Sequence, residues 1–290
     1  MDTKIWKLIC RAIRSADRSV SHLGRRPKYS DQQIVKMYIW SVAHDRPLCW
    51  ACERSHYNTM YRPKQLPSIS QFCRRVKRKR IQQMLEAISS YFVRCQMPAA
   101  GVAFFDGKPL VVSEYSKDPD AKVGYADGRM RRGYKLHGFV TKDGWIAGFQ
   151  IHSLNVGEPN IARSMLDVVT PGTLILAAGN YDGGLLYQAI ADRKSILLTR
   201  LRSTKRSKKQ LKRVCPARLA AITHWQDCTE VCEQTMKARD EVERIFGALT
   251  SFGGGLAPLP AWVRRLMRVR RWVTAKIIIY HARLFSRKAV

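Results

Sequence analysis

Two acids in this sequence, Asp106 and Glu243, stand where chemistry on a phosphate ester would need them. Val102-Ala103-Phe104-Phe105 is a short apolar run that reads as a buried strand ending at Asp106-Gly107, the glycine letting the backbone turn beside the carboxylate. In the stretch Arg239 to Leu249, Val242, Ile245, Phe246 and Leu249 share one helical face. Glu243 lies at the edge of that face, and Arg239 precedes it by one helical turn on the same side. Phosphodiester chemistry needs a nucleophile made at neutral pH and a neutralised leaving oxygen, and two divalent cations about 4 Å apart in a carboxylate cage supply both. Mg²⁺, or Mn²⁺ with the same oxygen preference, keeps several waters, so a few carboxylates suffice. A bland reading stays open at each position. Asp-Gly after a strand also makes a turn, and Arg239 with Glu243 also reads as a surface ion pair.

Such a site calls for a further acid near a neighbouring strand end. The stretch Leu176-Ala177-Ala178-Gly179-Asn180-Tyr181-Asp182 offers only Asp182, and helix capping competes for it, because a helical pattern follows from Leu185 to Ala191. His137 and His152 fall on strands and read as structural. No serine or cysteine shows a nucleophile elbow, and Gly253-Gly254-Gly255 lacks the Lys-Ser of a phosphate loop. Among the eight cysteines, Cys49 with Cys52 and Cys228 with Cys232 could meet as zinc ligands. Both pairs fall in helical patterns without knuckle glycines, so reduced, partly buried thiols are expected.

The elements that must position these residues lie in a strongly basic chain. Lys plus Arg number 52 against 22 acids, a formal net charge of +30. Charge of that size suits a polyanionic partner, nucleic acid first. An anionic membrane surface is the competing partner, but it wants one basic amphipathic helix, and here basic residues run through nearly every segment. No apolar run approaches the roughly 18 residues of a membrane span. The N-terminus, with Lys4, Lys7, Arg11 and Arg14 among apolar residues, reads as a basic amphipathic helix and not as a secretory leader. The expectation is a cytoplasmic or nucleoid-bound protein with no membrane partner.

Residues 1–98 read as helical. Ser30-Asp31 starts a helix carrying Ile34, Val35, Tyr38, Ile39 and Val42 on one face. Pro67-Ser68-Ile69-Ser70 caps a basic helix that runs from Phe72 through Arg80 to Phe92. That helix fits helix-turn-helix-like DNA binding and fits a solvated charged face equally well. Near residue 99 the period changes. Short strands are expected at Val102–Phe105, Leu110–Ser113, Leu174–Ala177 and Ile196–Thr199, with a hairpin of Tyr134–Val140 and Trp145–Ile151 across Lys142-Asp143-Gly144. Helices are expected at Ile161–Val169, Glu230–Thr250 and Trp262–Leu284, and a basic exposed insertion at about 202–232. Strands in a run, then alternating with helices, predict an α/β protein with a mixed sheet flanked by helices and a helical N-terminal region.

Taken together, several stretches resemble the DDE transposases of bacterial insertion sequences with a Tyr-Arg-Glu-Lys type signature. They are Asp106-Gly107-Lys108-Pro109-Leu110 with Ser116 to Ala121, Gly133-Tyr134-Lys135-Leu136-His137, Asn180-Tyr181-Asp182, and Val242 to Gly247 followed by Thr250 to Gly254. The resemblance covers about residues 100 to 285. It implies a ribonuclease H-like core at 99–290, an Asp-Asp-Glu triad, Mg²⁺ or Mn²⁺, and cut-and-paste chemistry on inverted-repeat ends. It also implies double-stranded DNA, as transposon ends and target, for partner, with a homodimer on paired ends and end binding by 1–98. Asp106 matches the first acid, Glu243 the third and Arg239 the signature arginine, while Met236 and Thr250 stand at the tyrosine and lysine positions. Ala178 stands where the second aspartate belongs, and Asp182 is the only nearby acid to replace it. Arg129, Arg131, Arg132, Lys135, Arg239 and Arg244, with Arg264, Arg265, Arg268, Arg270 and Arg271 of the tail, are expected on DNA, mostly on phosphates. The expected function is metal-dependent cleavage and strand transfer at inverted-repeat ends, weakened by Ala178. The alternative is a catalytically dead DNA-binding protein derived from a transposase.

Overall fold

The strand that carries Asp106 is longer than its apolar run. In the computed structural model, which describes residues 1–21, 27–96, 101–202, 214–251, 255–256 and 259–288, β1 (Val102–Val111) passes straight through Asp106-Gly107. The cause is β3 (Arg129–Thr141), which pairs antiparallel with β1 from Ala103↔Thr141 to Val111↔Gly133. On its other side β1 pairs in parallel with β5 (Leu174–Ala177), and that ladder stops at Phe105↔Ala177. Beyond Phe105, β1 is therefore an edge, which is where a strand tolerates a residue such as Pro109.

β4 (Ile146–Ser153) pairs antiparallel with β3, and β6 (Ile196–Thr199) pairs in parallel with β5. The spatial order β4-β3-β1-β5-β6, with β2 (Lys122–Ala126) also on β3, makes one six-stranded mixed sheet. This is the expected α/β class, consistent with a ribonuclease H-like transposase fold. β2 and β3 form a hairpin. Asp127 and Gly128 at its tip take the left-handed backbone (φ 51° and 78°) that a two-residue hairpin turn needs. Helices α5 (Glu158–Ser164) and α6 (Gly184–Ala191) cover the sheet. Phe105, Phe139, Ile161, Ile175, Tyr181, Leu186 and Ile190 form the core beneath them. The helix expected at 161–169 is α5 followed by a 3-10 turn, Leu166–Val168. In place of an open insertion, residues 216–232 form α7 (Pro216–Asp227) and the start of α8 (Thr229–Lys237). The lysine-rich stretch 203–213 lies outside the described residues.

The chain divides into two units, Pro98–Gly247 and Met1–Met97 with Ala248–Val290. A cut at 98/99 would leave the C-terminal helix with the sheet; the division groups it with the N-terminal helices. Those are α1 (Thr3–Ser19), α2 (Asp31–Ala43), α3 (Ile69–Val76) and α4 (Lys79–Arg94). Ser30 caps α2, and Ser68 with Gln71 forms a capping box on α3. The single basic helix expected over 72–92 is instead two, broken at Lys77-Arg78. α10 (Leu266–Lys288) packs against α1, α2 and α4. It is buried all round from Arg271 to Ala282.

Candidate active site

The sheet register sets the end of β5 beside Asp106. Phe105↔Ala177 is the last rung between β1 and β5, so Asp106 and Ala178 are the next residues on two adjacent parallel strands. On its other side Asp106 faces Gly138 of β3. That glycine leaves room for Phe246 of α9 (Asp240–Ser251), whose ring carbon lies 3.2 Å from where a Cβ at 138 would be. Phe246 thus seats α9 across from Asp106, and Glu243, one turn earlier, reaches the same neighbourhood. Glu243 is in the first turn of α9, where the helix dipole favours a carboxylate. The helix expected over 230–250 breaks at 238–239, so Arg239 sits just ahead of α9, not within it.

Arg239 joins the two acids. Its guanidinium lies 3.7 Å from a carboxylate oxygen of Asp106 and 3.7 Å from one of Glu243. Burial pushes the Asp106 carboxyl above its ordinary value. Arg239 and the Gly107 amide oppose that shift, while Glu158 and Glu243 add to it. Glu158, at the start of α5, is the acid that sequence reasoning missed. It is 9% exposed, and Lys135 of β3 donates to its Oε1 at 2.7 Å. Gly107 makes space for that pair, since a Cβ there would lie 2.9 Å from the Lys135 side chain and 3.0 Å from Glu158 Oε1. The one available signal was Glu158-Pro159, a helix-start pair with proline in the first turn.

The other expected residues have the following partners. Asp182 does not cap α6, which has no side-chain cap. It takes two bonds of 2.7 Å from Arg218 of α7 and one of 3.0 Å from the Arg202 amide, and its side chain is 1% exposed. Lys135 pairs with Glu158. Arg131 pairs with Glu114 at 3.5 Å, Arg132 donates to the Ala121 carbonyl at 3.0 Å, and the exposed Arg244 pairs with Glu241. His137 is buried with neither ring nitrogen bonded, and burial lowers its pKa to about 3, so it stays neutral. All eight cysteines are free thiols.

A divalent-cation pair does not fit the residues present. Ala178, next to Asp106 across the strand pair, supplies a methyl group and no ligand atom. Arg239 already neutralises Asp106 and Glu243, and Lys135 neutralises Glu158. Among the described residues no group of three or more Asp, Glu, His or Cys side chains could hold a metal ion. Nor is any helix among them long and apolar enough to cross a membrane.

The chain matches the family described as "Transposase DDE domain" over residues 98–275, more than half of its length. Neither the curated proteins nor the solved structures provide a match. The matched span contains Asp106, Ala178, Glu158, Arg239 and Glu243, the whole neighbourhood built above from strand register and helix seating. The chain is a member of the DDE transposase family.

Proposed function

We propose that this chain binds the inverted-repeat ends of a bacterial insertion sequence and that its strand-cutting chemistry has lapsed with its second carboxylate. The observation that carries the reading is the Ala178 methyl beside Asp106, in a site whose remaining acids are held by Arg239 and Lys135. The arginine four residues before Glu243 supports assignment to the Tyr-Arg-Glu-Lys type, with Met236 and Thr250 at the other two signature positions. In this reading residues 1–98 recognise the ends, 99–290 descend from the catalytic domain, and two copies bridge paired ends beside the nucleoid. The net charge of +30 suits that partner.

In an intact relative of this design, water would cut the strand and the freed 3′-hydroxyl would attack target DNA. The test is excision of a marked element flanked by its own ends. The unaltered chain is expected to bind the ends without excising, and Ala178→Asp to excise at least a hundredfold more, with Ala178→Asp/Asp106→Ala silent again. Excision by the unaltered chain that is lost in Asp106→Ala would overturn the reading and restore a working transposase.

A further inference from the structure

The helical unit contains a cavity of about 260 Å³, walled by α2, the turn after it, α3 and residues 262–272. That is slightly below the roughly 300–1,000 Å³ of small-ligand pockets, so its occupant must be compact. Trp272 and Trp262 give it flat apolar walls, and Trp262 at 41% and Ile69 at 52% exposure mark a mouth open to solvent.

Two largely buried side chains in its wall have no bonding partner among the described residues, and their polar atoms are still reached by solvent. Arg271 is 9% exposed and Tyr38 4%, and neither guanidinium nor hydroxyl has a hydrogen bond or ion pair among the described residues. A buried cation without a counter-ion is rare because desolvation of its charge is uncompensated. The other buried cations among the described residues obey that rule. Arg75 pairs with Asp31, Arg218 with Asp182 and Lys276 with Asp45. Among the described residues no Asp or Glu lines the cavity around Arg271, and the exposed Arg46, Lys77 and Arg268 at its edge add positive charge. What is missing is an anion, and the tryptophans ask that it carry a flat apolar body.

We infer that this cavity binds a single nucleotide, its phosphate on Arg271 and Tyr38 and its base against the tryptophans. An aromatic-bodied anion follows from the cavity alone; the choice of a nucleotide rests on the DNA-binding reading above. Two sources share that chemistry, a free nucleotide and the unpaired end nucleotide of a DNA strand.

The experiment titrates the full chain with thymidine 5′-monophosphate, thymidine and inorganic phosphate, followed by tryptophan fluorescence. The monophosphate is expected to bind at least tenfold more tightly than either fragment. Arg271→Met should weaken it at least tenfold while the melting temperature holds or rises, because a buried lone charge has been removed. Tyr38→Phe should weaken it several-fold and serves if Arg271→Met fails to fold. Monophosphate binding no tighter than phosphate, or unchanged in both variants, would overturn the inference, as would a melting temperature lowered with affinity intact. A short 5′-phosphorylated single strand then identifies the source: tighter binding than the monophosphate points to DNA, equal binding to the free nucleotide, and both support the site. Duplex-end binding is measured in parallel. End binding without nucleotide binding sinks the pocket alone, and nucleotide binding without end binding sinks the function proposed above.

Discussion

Asp182 shows at the residue scale how partners decide the role of an acid. With two bonds to Arg218 and one to the Arg202 amide, its carboxylate is committed to joining α6 and α7. The same bonds raise the Arg218 pKa. Breaking a buried pair by removing one partner leaves an uncompensated charge and costs about 3–5 kcal/mol. Arg218→Met is therefore expected to destabilise the chain by about that amount in urea. A shift of the midpoint worth under about 1 kcal/mol would show that water already satisfies Asp182. None of this is legible in Asn180-Tyr181-Asp182, where an acid before a helical pattern reads as a cap. Glu158 was hidden for a related reason. Nothing in its own segment ties it to Asp106; the tie runs through Lys135 and Gly107, which the register of β1 on β3 brings together. Asp106 and Glu243, by contrast, were legible because each is framed by apolar residues at strand or helix spacing.

At the scale of elements, one glycine sets the distance between two carboxylates. Gly138 faces Asp106 across the strand pair and receives the Phe246 ring of α9. A methyl group there would meet the ring carbon at 3.2 Å, so the helix must shift or the ring must turn. Gly138→Ala is expected to cost about 1–3 kcal/mol in thermal unfolding, as overpacking does. In the Ala178→Asp background it should also cut excision, by displacing Glu243. Unchanged stability together with unchanged excision would mean that α9 is seated by other contacts. The existence of most elements was readable from period alone. Their limits were not, because they depend on partners. β1 outruns its apolar run since β3 continues beside it, and the segments expected as single helices over 72–92 and 230–250 each break at a short junction.

For the whole molecule, the excess of basic residues is larger than its structural uses. Arg75, Arg80, Lys135, Arg218, Arg239 and Lys276 are held by acids. With only 22 acids for 52 basic side chains, most of the remainder have no carboxylate to meet. Binding through phosphates releases counter-ions, and log K then falls with log salt by about 0.9 per phosphate neutralised on duplex DNA. End binding by this chain is expected to drop about 10³–10⁵-fold between roughly 50 and 200 mM salt, as for six to ten phosphate contacts. A nearly flat salt dependence would mean that the charge serves something other than DNA. The charge itself was plain in the sequence. Its division between internal pairs and free surface was not, because pairing is a property of the fold.

The strand end at residue 178 also has a bearing on how such a protein changes over generations. The register of β5 on β1 is fixed by residues 174–177, and Ala178 packs partly against the core. An aspartate there would place another negative charge beside Asp106, whose carboxyl is already pushed up by burial and by Glu158 and Glu243. Folding alone thus prefers the methyl group, and only the demand for cutting DNA would favour the acid. Once that demand is relaxed, stability pulls residue 178 in one direction, a ratchet that discards the activity while the fold is kept.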